Sequence, residues 1–158
     1  MGVSKVLAIS ALPLLLAGGM ARAGSGSFVG RWHWDKAQSS SIPGEPAPRD
    51  IVLNIADMSG GALKWTLTEI DPEGGEHKES FDGKSDGTPT PVTGAGGPMT
   101  AAFTLTGATL KAVFKSPDGS SDSWSCALAP DGSKMNCQGL ESDGKGHSAG
   151  YTDVYDRM

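Results

Sequence analysis

Residues 51–68 read IVLNIADMSGGALKWTLT. Ile51, Leu53 and Ile55 alternate with Val52, Asn54 and Ala56; past Ser59-Gly60-Gly61, Leu63, Trp65 and Leu67 alternate with Lys64, Thr66 and Thr68. Successive side chains of a strand point to opposite faces, so this pattern predicts a hairpin with one apolar and one mostly polar face. Such a face must pack against others of its kind, which predicts an antiparallel all-β protein.

The same alternation extends in both directions. Upstream, Phe28, Gly30, Trp32 and Trp34 share a face opposite Val29, Arg31 and His33. Downstream, Asp71-Pro72-Glu73-Gly74-Gly75 turns the chain into a weaker strand through His77, Glu79 and Phe81. Residues 82–98 read as a long Gly/Pro/Thr-rich connection, after which strands resume at 99–106, 109–115, 122–129, 134–140 and 147–156. Two of the turns between them, 117–120 and 130–133, carry Pro-Asp-Gly-Ser, in which proline presets φ and glycine takes the left-handed position. Short strands at even spacing predict an up-and-down barrel of about 8–9 strands, because closure removes exposed edges. A two-sheet sandwich is the alternative. The Pro-rich segment 35–49 is expected to start with a helical turn at 35–39 and to fold across one end of the barrel.

Residues 1–23 have a different character. Lys5 precedes an apolar stretch from Val6 to Ala17, and Ala21-Arg22-Ala23 has the small-x-small form of a signal-peptidase site. The stretch is too short to span a bilayer at roughly 20 residues per helix. This predicts a cleaved signal helix over 1–23, a barrel domain over 24–158, and a periplasmic or secreted location. A buried N-terminal helix is the competing reading. Loss of Lys5 and Arg22 would take the formal charge from −5 to −7. An acidic chain without a basic cluster argues against nucleic acid and anionic membranes as partners. No second apolar run would support stable membrane insertion, and the oligomeric state is left open.

Cys126 and Cys137 flank Asp131-Gly132 on consecutive strands. If they face one another, Leu128 faces Met135, and the inward set Trp124, Cys126, Leu128 meets Met135 and Cys137. Hydrophobic pattern and cysteine pairing then demand one register, which requires a four-residue loop. An oxidising compartment favours a structural disulfide. A redox pair or metal ligands would need a Cys-x-x-Cys spacing or nearby histidines, which are missing.

The chain carries no His-Glu-x-x-His, Gly-x-Ser-x-Gly, Walker or dinucleotide motif. No cofactor and no metal is expected. His77 with Glu79 has the residue types of an acid–base pair, and Tyr151 shares a strand face with Asp153 and Tyr155; a solvated strand produces both patterns as well. Trp65, Phe103 and Trp124 fall on inward faces, where they either fill a core or line a cavity for a flat apolar ligand.

Gly30-Arg31-Trp32 resembles the Gly-x-Trp signature of lipocalins and other calycins. The resemblance is widest to small secreted bacterial lipocalin-like proteins, through Trp32 to Ser39, Pro43 to Pro48, Asp82-Gly83-Lys84, Pro91-Val92-Thr93-Gly94 and Val154-Tyr155-Asp156. It departs from them at Asp35-Lys36-Ala37-Gln38-Ser39, which lacks a lysine before serine, and in having cysteines. The resemblance implies a barrel whose Trp32 packs at the closed end, with Arg157 as its candidate partner. It implies no reaction and no catalytic residue. Three functions are therefore expected in order: a binder of a small, mostly apolar ligand; a cofactor-free lyase or isomerase working in the cavity; and an envelope protein acting through loops 35–49 and 82–98.

Overall fold

The computed structural model describes residues 27–158, and the leader expected over 1–23 lies outside them. Ten antiparallel strands follow in chain order: β1 Gly30–Trp34, β2 Asp50–Asp57, β3 Ala62–Ile70, β4 Glu76–Lys84, β5 Thr90–Pro91, β6 Thr100–Thr106, β7 Thr109–Lys115, β8 Ser121–Leu128, β9 Lys134–Ser142 and β10 Ser148–Arg157. The strand beyond the expected count is β5. Two residues, one of them proline, leave no alternation to read.

The strands form one up-and-down sheet in the order β4-β3-β2-β1-β10-β9-β8-β7-β6-β5. The first and last strands pair in its middle, with Trp32 opposite Arg157 and Trp34 opposite Tyr155. The sheet curls into a nearly closed barrel. Ser80 of β4 and Thr93, just past β5, exchange backbone hydrogen bonds of 2.9 Å each, and Gly87 donates to the Phe103 carbonyl at 2.7 Å. This seam runs through the segment that the sequence presents as a connection.

Alternation places the core as expected. Trp32, Trp34, Ile55, Leu63, Phe81, Phe103 and Met135 are buried, whereas Arg31, His33 and Lys64 are exposed. His33 points outward, and its Nε2 lies 2.8 Å from Asp50. Cys126 pairs with Cys137, Leu128 with Met135, and the two sulfurs are bonded. Four residues, Pro130 to Ser133, separate Ala129 from Lys134, whose carbonyl accepts the Ala129 N–H at 2.8 Å. The register required by the cysteines is the register found.

One end of the barrel is plugged. Trp32 is 0 % exposed, and its Nε1–H donates to the Phe28 carbonyl at 2.8 Å. The Arg157 guanidinium lies 4.1 Å from the centroid of the Trp32 ring. Its Nε donates to the Gly132 carbonyl at 2.8 Å and its Nη1 to the Val29 carbonyl at 3.0 Å. A cation over an indole face, tied to segment 27–29 and to the Gly132 turn, closes this end. Gly30 has φ of +147°, and a Cβ there would stand 2.5 Å from Arg157 Nη1, so the glycine of Gly-x-Trp makes room for the arginine.

Candidate functional site

The other end is open to a cavity of about 410 Å³ inside the barrel. Its wall is built from inward positions of successive strands: Ile51 and Leu53 of β2, Trp65 of β3, Phe103 of β6, Phe114 of β7 and Trp124 of β8. Cys126, Met135 and Cys137 continue it, so the disulfide is part of the lining. Segment 35–49 crosses this end, as its position after the first strand suggests. Asp35 accepts the N–H groups of Gln38 and Ser39 to start a turn, and Ser40 exchanges backbone bonds with Thr152. Ile42, Pro46 and Ala47 then reach the cavity.

The three aromatics singled out in the sequence meet here. Phe103 lies between Trp65 and Trp124, with centroid distances of 6.1 Å and 5.7 Å in edge-on geometry. Phe114 completes the cluster at 5.7 Å from Phe103. Trp65 is 6 % exposed, and its Nε1–H has no acceptor among the described residues.

The polar part of the cavity is acidic. Glu45, Glu69, Glu79, Asp122, Glu141 and Asp153 all line it, and among the described residues no lysine, arginine or histidine does. The Tyr151 hydroxyl donates to Asp122, 2.9 Å from each carboxylate oxygen, and Trp34 Nε1–H donates to Asp153 at 2.7 Å. Burial pushes the carboxyls of Glu79, Asp122, Glu141 and Asp153 above their ordinary values. Neighbouring negative charge adds to this at Glu79 from Glu69, at Asp122 from Asp153, and at Glu141 from Asp122 and Glu45. The Tyr151 hydroxyl is held far above the usual phenol range by burial and by Asp122.

His77 and Glu79 are separated by this geometry. Both occupy inward-parity positions of β4, but His77 sits beside the Asp71–Gly75 turn, is 63 % exposed, and places Nε2 3.0 Å from Asp71. It is not part of the cavity lining, whereas Glu79 is. The Asp71 carboxylate raises the His77 pKa. Tyr151, Asp153 and Tyr155 do face inward together. Sequence reading missed Glu69, Glu141 and Phe114; the first two continue an inward parity already assigned on their strands, and no parity was assigned on the strand of Phe114.

Compared by sequence, the chain matches no family model and no curated protein. Compared by structure, it is similar to the fluorescent protein UnaG, at 20% identity and a TM-score of 0.55 over 83% of this chain and 97% of that one. It is similar to a fatty acid transporter, REP1-NXSQ, at 14% identity and a TM-score of 0.57 over 82% and 95% of the two chains. A third similar structure is secretory abundant heat soluble protein 4 from Ramazzottius varieornatus, at 14% identity, a TM-score of 0.56, and coverage of 82% and 94%. At these identities the likeness concerns the fold alone, an up-and-down, lipocalin-like β-barrel.

Proposed function

We propose that this protein binds one small, mostly apolar molecule inside its barrel and works outside the cytoplasm. The observation that carries the reading is the 410 Å³ cavity walled by Trp65, Phe103, Phe114 and Trp124. Its volume is within the few hundred to 1,000 Å³ usual for small-molecule sites, and a barrel of this size can otherwise fill its interior with side chains. The likeness in fold to a fatty acid transporter supports binding as the task of such an interior. The leader-like residues 1–23 and the Cys126–Cys137 bond support the compartment.

Binding is favoured over a lyase or isomerase by the state of the proton carriers. His77 lies outside the cavity on Asp71, and the Tyr151 proton is held on its oxygen by burial beside Asp122. The acid–base pair of His77 with Glu79 is therefore not assembled at the aromatic wall. It is favoured over a purely surface role because segment 35–49 turns Ile42, Pro46 and Ala47 toward the cavity.

N-phenyl-1-naphthylamine, an uncharged apolar fluorophore at neutral pH, tests the reading. Saturable one-to-one enhancement with quenching of tryptophan emission is expected. A linear, non-saturating response, or a crystal structure with a collapsed interior, would overturn it.

A further inference from the structure

The cavity has two chemically distinct halves, and the polar half has one sign. Six carboxyl side chains face it, from segment 35–49 (Glu45), β3 (Glu69), β4 (Glu79), β8 (Asp122), β9 (Glu141) and β10 (Asp153). Among the described residues, no basic side chain forms an ion pair with any of them. A carboxylate in a partly desolvated site is stabilised by a cation or by donated hydrogen bonds, and only Asp122 and Asp153 receive a side-chain donor. Each of those two still has free acceptor positions, since one carboxylate offers about four lone pairs.

The acids do not form a metal site: no three or more His, Cys, Asp or Glu side chains among the described residues are placed to hold an ion. They are spread over several strands of the cavity lining, beside its aromatic wall. An independent observation lies in the wall: Trp65, Phe103, Phe114 and Trp124 line the same cavity, so an apolar body has a place beside the acids.

We propose that the ligand is an apolar amine: a hydrophobic, preferably flat body with a positively charged nitrogen, the body held against Trp65, Phe103 and Trp124 and the nitrogen among Asp122, Glu141 and their acidic neighbours. The aromatic faces reinforce the choice, because an indole or phenyl face attracts a cation. The same geometry disfavours a carboxylate ligand, whose charge would meet six acids and no arginine. This inference rests on the binding function above and specifies what is bound.

Three probes with one body separate the readings: 2-naphthylmethylamine, 2-naphthylmethanol and 2-naphthoate, each titrated calorimetrically into the protein at pH 7. The amine is expected to bind at least tenfold more tightly than the alcohol, and the carboxylate more weakly than both. Asp122→Asn combined with Glu141→Gln should erase the preference of amine over alcohol. Both substitutions remove charge that burial disfavours and keep an acceptor for Tyr151, so the fold tolerates them. Equal or tighter binding of the carboxylate, or an unchanged amine preference in the double variant, overturns the amine assignment while leaving apolar binding intact. Failure of all three probes, together with failure of the uncharged fluorophore, overturns both readings.

Discussion

The ring of Tyr151 lies over Gly139 on the neighbouring strand and carries its hydroxyl across to Asp122, one strand further. A Cβ at position 139 would stand 2.0 Å from Tyr151 Cζ. The pairing of a tyrosine with a glycine is thus what brings β8 and β10 into side-chain contact over β9. Gly139→Ala should displace the ring and break the bond to Asp122, destabilising the protein by about 1–3 kcal/mol as overpacking does. Urea unfolding measures this. Tyr151→Phe, which keeps the ring and loses the bond, should cost less than Gly139→Ala.

The Arg157 plug makes a second prediction. Arg157→Lys keeps the charge but loses the fork that reaches Gly132 and Val29 together. It should lower stability by about 1–3 kcal/mol, and Arg157→Ala by more, since hydrogen bonds from a charged donor and a covered indole are both lost. Amide exchange should quicken first at residues 29–33 and 132. If both variants unfold at the midpoint of the parent protein, the guanidinium does not secure this end.

The disulfide closes a loop of sequence separation 11 between directly paired residues. By the chain-entropy estimate this contributes on the order of 2–3 kcal/mol. Replacing Cys126 and Cys137 together with alanine should lower the denaturant midpoint accordingly. The parent protein in excess reductant should approach the same midpoint.

Stability should depend on pH in an unusual direction. Glu79, Asp122, Glu141 and Asp153 have raised folded-state pKa values, chiefly through burial. The native state therefore binds more protons than the unfolded chain just above the ordinary values of 3.8 and 4.5, and stability falls as pH rises through that window. His77, raised by Asp71, acts in the same direction: its stabilisation is present below 6.5 and is lost as pH rises through its folded-state value. The turn aspartates Asp57, Asp118, Asp131 and Asp143 have lowered values from backbone donors, so their contribution disappears as pH falls below 3.8. The expected profile peaks on the acidic side, near the ordinary carboxylate values of about 3.8 to 4.5, and declines toward neutrality. Urea midpoints from pH 3 to 8 measure it, and Asp122→Asn with Glu141→Gln should flatten the neutral side. A midpoint that rises steadily from pH 5 to 7 contradicts the assignment.

Much of this was legible in the chain because local periodicity was never in conflict with the global fold. The Cys126–Cys137 register followed from hydrophobic parity together with the cysteine pairing, and Trp32 with Arg157 from a short signature. The seam was not legible. Ser80 and Thr93 meet across a Gly/Pro-rich segment whose pairing depends on where β6 already lies. The acidic rim escaped for a related reason. Glu69 and Glu141 look like solvated strand ends until the barrel closes and turns their shared face into an interior. His77 was the reverse case: correct parity, but too near the strand terminus to be enclosed.

The pairing of β1 with β10 has a consequence for how the molecule assembles. The contacts that join the chain ends, such as Arg157 to Val29, span 128 positions, whereas most strand pairs connect neighbours in sequence. Loop-closure entropy grows with the logarithm of separation, so joining segments some tenfold more distant costs about 2 kcal/mol more. The hairpins can form early and cheaply. The rate-determining event should then be the docking of β1, with Trp32, between two meanders, and slow growth of buried-tryptophan emission during refolding would time it.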